Sequence, residues 1–145
     1  MRTAPARLAA VSLLAALAQP VQAQVLNLPR PGAFEIGATS GPVSLASRGR
    51  IEQETATGWE TVFDEFQLLE DCSEAGTLPV CTTLAPGAAL RPVLWNGYTC
   101  NGQCPRACKG NVYRPPGTFR LVLATCDGDA EAAGAPFSMG PKSGR

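Results

Sequence analysis

The chain has 145 residues, 45% of them hydrophobic and 17% charged, which is room for one globular domain and too apolar for a disordered chain. It holds no His, and this removes the Ser-His-Asp triad, the Cys-His dyad, imidazole zinc sites and the commonest general base near neutral pH. Twelve basic residues balance twelve acidic ones with no dense basic run, so the footprint of a nucleic-acid binder is missing.

Residues 1–23 read as a signal peptide. Arg2 and Arg7 supply the positive start, Leu8 to Ala18 is an apolar run, and Val21-Gln22-Ala23 sets a small residue before a cut near Ala23/Gln24. Eleven apolar residues make about 16 Å of helix. A membrane span needs roughly 30 Å, so the segment is too short to serve as an anchor, and no later stretch is long enough. The mature chain is expected to be secreted or periplasmic, with ten basic and twelve acidic residues and a net charge of −2.

Residues 24–42 carry Pro29, Pro31, Gly32, Gly37, Gly41 and Pro42, and read as an extended lead-in ahead of a domain at 43–139. Val43 to Ala46 alternates as a short strand, and Arg50 to Thr55 alternates weakly before a turn at Thr57-Gly58. Trp59 to Leu69 is a longer strand, with Asp64-Glu65 a bulge or bend in its pattern. Trp59, Val62, Phe63 and Phe66 also fit helical spacing. Ala85-Pro86-Gly87 is a turn, and Ala88 to Trp95 is a strand whose Pro92 restricts it to an edge or a late start. Thr118 to Cys126 is the clearest strand, with Phe119, Leu121, Leu123 and Thr125 on one face. Pro136 to Met139 is a last short strand, and 140–145 is expected to be a disordered tail. Six to seven short strands without a convincing helix indicate an all-β antiparallel sandwich.

The six cysteines, Cys72, Cys81, Cys100, Cys104, Cys108 and Cys126, all follow the signal segment. An even number in an exported chain reads as three disulfides, and neither a zinc-ribbon nor an iron–sulfur spacing is present. The nearest local pairing is Cys72 with Cys81, which leaves one of the middle three for Cys126. That second bridge is awkward, since Cys126 lies at the far end of its strand from the middle three, about 25 Å away if fully extended.

Three stretches carry a resemblance: Leu84-Ala85-Pro86-Gly87, Leu94-Trp95-Asn96-Gly97 and Pro115-Pro116-Gly117-Thr118-Phe119-Arg120-Leu121. In this order they resemble the bacterial intracellular-proteinase-inhibitor type of domain over about residues 59–126. The resemblance implies an immunoglobulin-like sandwich. The family is typically cysteine-poor, and no inhibitory loop of it matches here residue by residue.

Between Cys100 and Pro116 runs the least ordinary stretch, CNGQCPRACKGNVYRPP, with Arg106, Lys109 and Arg114 as candidate binding residues. Long loops without secondary structure are usually functional or disordered, and cysteine staples oppose disorder. If Trp95 and Phe119 lay on paired strands, this loop would cap their hairpin. Asn96-Gly97 offers a rival two-residue turn that folds Pro92–Trp95 onto Tyr98–Asn101. The loop reads either as a stapled surface segment or as a recognition loop with Arg106 in a trypsin-like pocket. Asp127, Asp129 and Glu131 imitate the start of a calcium loop but lack its Gly and its final Glu, so an acidic turn is expected. Asp64-Glu65 and Glu70-Asp71 read as solvated carboxylates rather than a catalytic pair, and Trp59, Trp95, Phe63, Phe66 and Phe119 as core rather than a sugar-binding platform. The expectation is a non-catalytic, monomeric binding or accessory module for an extracellular or envelope protein, without cofactor or metal. The alternative is a protease inhibitor.

Overall fold

The computed structural model describes residues 23–38, 41–68, 80–99, 110–126 and 130–142. Residues 1–22 of the signal segment, the tail beyond Lys142, Glu70-Asp71, Asp127, Asp129, Cys72 and the Cys100–Lys109 segment lie outside them. Among the described residues the chain forms ten strands and no helix. They are β1 (Ala23–Asn27), β2 (Ala33–Ala38), β3 (Val43–Ala46), β4 (Arg48–Thr55) and β5 (Gly58–Gln67), followed by β6 (Cys81–Leu84), β7 (Ala89–Leu94), β8 (Gly117–Ala124), β9 (Glu131–Ala133) and β10 (Phe137–Met139).

All pairings are antiparallel. One sheet has the order β1-β2-β7, and a larger one runs β10-β8-β4-β5 with β9 also on β8. A third pair, β3-β6, docks on the end of β8 through a Leu45–Thr125 bridge and a hydrogen bond from Cys126 N to Ser44 O. The two main sheets bury one core between them. Phe34, Ile36, Val93 and Trp95 meet Ile51, Phe63, Phe66, Phe119, Leu121 and Leu123 there. Aromatic rings cross the gap edge to face, Phe34 with Phe66 at 6.5 Å and Trp95 with Phe119 at 5.0 Å, with Phe137 against Phe34 at 5.3 Å. The fold is an all-β antiparallel sandwich.

Several expectations change. Residues 24–42 are not a lead-in outside the sandwich, because β1 and β2 belong to a main sheet and Phe34 and Ile36 are fully buried. The prolines and glycines that suggested a lead-in fall in turns. Arg30-Pro31-Gly32-Ala33 is closed by Ala33 N donating to Arg30 O, with Gly32 at φ 83° in the position a type II turn reserves for glycine. A Cβ on Gly32 would also lie 2.4 Å from the carbonyl oxygen of Trp95. The Ala85–Ala88 turn repeats the Pro-Gly pattern, with Gly87 at φ 75°.

The interruption in β5 is a bulge. Phe63 faces Ile51 and Phe66 faces Gly49, so Asp64 and Glu65 together stand opposite Arg50 alone. That extra residue lets side chains three apart enter one core, which is why the segment also fits helical spacing. Pro92 falls where β7, an edge strand, shifts register against β2 between Phe34 and Ile36. Trp95 and Phe119 are not on paired strands: β7 pairs with β2, and the two rings meet from opposing sheets.

The described disulfide joins Cys81 to Cys126, with Cα atoms 6.1 Å apart. It replaces both the local Cys72–Cys81 pairing and the reach from the middle three to Cys126. Sequence proximity favoured the shorter loop, but the docking of β3-β6 on the end of β8 carries Cys81 to Cys126 and removes the geometric difficulty.

Candidate functional site

At the end of β7 the chain is fixed by short-range hydrogen bonds. Trp95 N donates to Gly32 O at 2.8 Å, its indole Nε1 to Tyr98 O at 2.9 Å, and Tyr98 N to Asn96 Oδ1 at 3.0 Å. Asn96-Gly97 is therefore not the turn of a tight hairpin. Residues 97–99 pair instead with 112–114: Arg114 N donates to Gly97 O, Thr99 N to Val112 O, and Tyr98 bridges Tyr113. Gly97 is required here, since it sits at φ 87° and a Cβ would lie 2.5 Å from the Tyr113 ring. Thr99 adds a clasp, its hydroxyl donating to Gly110 O and accepting from Val112 N. Thr99 and Gly110, the described residues on either side of the Cys100–Lys109 segment, are thus held together.

On this ribbon the Tyr98 and Tyr113 rings lie 5.0 Å apart at 55°. The chain after β10 runs across them. Tyr113 OH donates to Gly140 O at 3.2 Å, and the Lys142 ammonium sits 5.1 Å from the Tyr98 ring centre. A hydrogen bond to Tyr98 holds the Lys142 ammonium above its ordinary pKa. Of the three candidate binding residues, Arg106 and Lys109 lie outside the described residues. Arg114 is exposed at the ribbon.

A second cluster covers the outer face of the larger sheet. The Glu131 carboxylate takes both Arg50 Nη atoms, at 2.6 and 2.8 Å, and Arg50 Nε donates to Glu52 Oε2 at 3.1 Å. Glu52 Oε1 accepts from Arg120 at 2.7 Å, and the Arg120 guanidinium lies 4.3 Å over the Trp59 ring. Trp59, expected in the core, is a half-buried outer-face ring under a cation. Glu131, expected in an acidic turn, is a β9 residue committed to Arg50. Burial pushes the Glu52 carboxyl up, but hydrogen bonds and charge from Arg120 and Arg50 outweigh it and hold it below its usual 4.5. Glu131 is lowered by its hydrogen bond to Arg50, and the Arg50 guanidinium is raised in return.

A carboxyl lowered in the folded state stabilises above its unfolded pKa, and that contribution fades as pH falls through the folded pKa. Glu52→Gln should therefore cost about 1.5–3 kcal/mol at pH 7, as for hydrogen bonds to a charged group. The gap in urea midpoint between wild type and variant should narrow as pH drops below 4.5. A gap constant from pH 7 to pH 3 would show that Glu52 is not held ionised by its two arginines.

Among the described residues no group of three or more His, Cys, Asp or Glu is placed to hold a metal. The same residues include no helix long and apolar enough to cross a membrane. Sequence reading missed the Tyr98–Tyr113 ribbon and the outer-face network. The one available signal for the ribbon was a tyrosine on either side of the cysteine-rich run. Comparison with protein-family models, curated proteins and solved structures finds no match.

Proposed function

We propose that this is an exported, non-catalytic binding module that presents the 97–114 loop and its tyrosine ribbon to an extracellular or envelope protein. One observation carries the reading: the ends of a long, cysteine-rich segment are pinned together by the ribbon, the Thr99 clasp and the Gly140–Lys142 crossing. Fixing the two ends of a loop before it binds lowers the ordering cost of association. The apolar leader sequence, the disulfide and the alternating sandwich strands support export and independent folding.

A protease inhibitor is the second reading. It rests on Arg106 in the sequence between those ends and on the resemblance of the Leu84–Gly87, Leu94–Gly97 and Pro115–Leu121 stretches to an inhibitor family. One set of measurements separates the two. The mature protein is assayed against trypsin-like and subtilisin-like proteases, and used as bait in secreted and envelope protein fractions beside Tyr98→Ala/Tyr113→Ala. Specific capture lost in the double variant, with no inhibition at micromolar protein, supports the binding module. Inhibition abolished by Arg106→Ala establishes the inhibitor. Capture equal for both baits overturns the assignment of the ribbon end as the binding surface.

A further inference from the structure

A cut near Ala23/Gln24 falls inside β1, whose residues pair with β2 from Ala23 opposite Ala38 to Asn27 opposite Phe34. The two faces of β1 differ. Ala23 and Val25 are buried, with Ala38 and Ile36 opposite them. Gln24 and Leu26 are exposed on the outside of the smaller sheet, with Gly37 and Glu35 opposite. The strand is also fixed to the chain after β9. Asn27 Nδ2 donates to Ala135 O at 2.8 Å, and Gly134 lies so close that a Cβ there would stand 2.9 Å from Val25 Cγ1. The first residue after the cut thus belongs to an ordered strand and points its side chain into solvent.

A glutamine that begins a chain carries its own nucleophile. The neutral α-amine attacks the side-chain Cδ, and a bond from N to Cδ closes a five-membered lactam. The bond from Cδ to Nε2 breaks, and Nε2 leaves as ammonia with a proton taken from the amine. No oxidant, reductant or second reactant enters. An α-amino group has a pKa of about 7.7–8.0, so the attacking form is populated near neutral pH.

The fold favours this closure at Gln24. Its cross-strand neighbour Gly37 has no side chain, and even a Cβ there would touch only Ala88 O at 3.6 Å and Ala89 Cβ at 4.0 Å. Space for the ring is therefore open on that face. An uncyclised ammonium gains little in exchange. Glu35, the acid one pair along the same face, is already held by Arg91 Nε at 3.4 Å. The new charge would also stand where the buried Ala23 had been, beside Ala38, and the neutral lactam removes the desolvation cost of a charge there.

We propose that Gln24 of the exported chain is a modification site, cyclised to pyroglutamate on the outer face of β1 over Gly37. This rests on the export reading and on the cut near Ala23/Gln24, and it is independent of the 97–114 loop. A closed end offers no free amine to aminopeptidases, which keeps Val25 in the core.

The full chain is expressed with its own leader, and the exported product is examined by intact mass and by sequencing of its N-terminal peptide. It should begin at residue 24 and lack one ammonia there. Gln24→Asn, whose shorter side chain cannot close the five-membered ring, should retain it. Rates come from mature protein released from a removable leader by a site-specific protease and held folded at pH 8. Gly37→Val should slow closure at least threefold, and the difference should vanish in concentrated urea. If Gly37→Val does not fold, Gln24→Asn still decides. A free amine on Gln24 after prolonged incubation, or an ammonia loss that persists in Gln24→Asn, overturns the proposal. Equal rates for folded Gly37→Val and wild type overturn the placement over Gly37 and the proposal with it. A cut at another bond also overturns it but leaves export standing, whereas a chain that keeps its leader removes the export reading as well.

Discussion

Phe34→Ala should be the most damaging single substitution in the sandwich, costing about 3–5 kcal/mol, the usual range for truncating a buried Phe. Phe34 is fully buried on the central strand of the smaller sheet. Its ring meets Phe66 from β5 and Phe137 from β10, so it spans the larger sheet from one edge strand to the other. Removing it leaves a cavity lined by strands already fixed by their own ladders, and the site has little freedom to collapse. Total stability for a domain of this size is about 5–15 kcal/mol, so the variant should unfold at much lower urea with an unchanged slope. Phe34→Leu, which keeps most of the volume, should recover more than half of the loss. A cost under about 1 kcal/mol for the alanine variant would mean that β2 does not pack between the sheets.

How much of this was legible in the sequence depended on where each residue's partner lies. β8 could be read directly, because Phe119, Leu121 and Leu123 alternate within a single strand and all face the core. β3 was also read with its observed bounds. The Ala85-Pro86-Gly87 turn was visible as a turn, whereas Pro31-Gly32 was read as part of an extended lead-in, and the density of Pro and Gly there hid the strands they connect. Phe34 and Ile36 alternate as clearly as Val43 and Leu45, but Pro29, Pro31 and Gly32 stand just before them and Gly37, Gly41 and Pro42 follow. Composition averaged over that window outweighed local alternation. Trp59 was misplaced for a different reason. A large aromatic residue defaults to the core, and only the register of β4 against β8 and β5 places a cation over its ring on the outer face. The charge network has the same origin, since Arg50 and Glu131 are 81 residues apart. The tyrosine ribbon lies between these cases. Its residues flank a conspicuous loop, but Asn96-Gly97 is a strong local hairpin signal, and longer-range pairing of 97–99 with 112–114 overrode it.

The Cys81–Cys126 bridge carries the other large effect. Its cysteines are 45 residues apart, and the chain-entropy relation for a loop of that length gives about 4 kcal/mol of stabilisation. The loop contains β6, β7 and β8, so the cross-link restrains in the unfolded chain the segments that must otherwise find three different sheets. In the folded state it closes the place where β3-β6 meets β8. Without it, Leu45–Thr125 pairing, the Cys126–Ser44 hydrogen bond and the Ser47–Thr82 hydroxyl contact at 2.6 Å remain to hold that pair. Cys81→Ser/Cys126→Ser should therefore unfold at a urea midpoint lower by the equivalent of about 2–4 kcal/mol, the usual range for such bridges. Amide exchange should accelerate first at β3 and β6, with β4 and the centre of β8 retaining their protection. Peptide mapping of the unreduced wild type should recover Cys81 linked to Cys126. Recovery of Cys72 linked to Cys81 instead would restore the local pairing and contradict the docking of β3-β6 on β8. A double variant as stable as wild type would mean that this cross-link does not restrain the unfolded chain and that backbone pairing alone holds β3-β6 on β8.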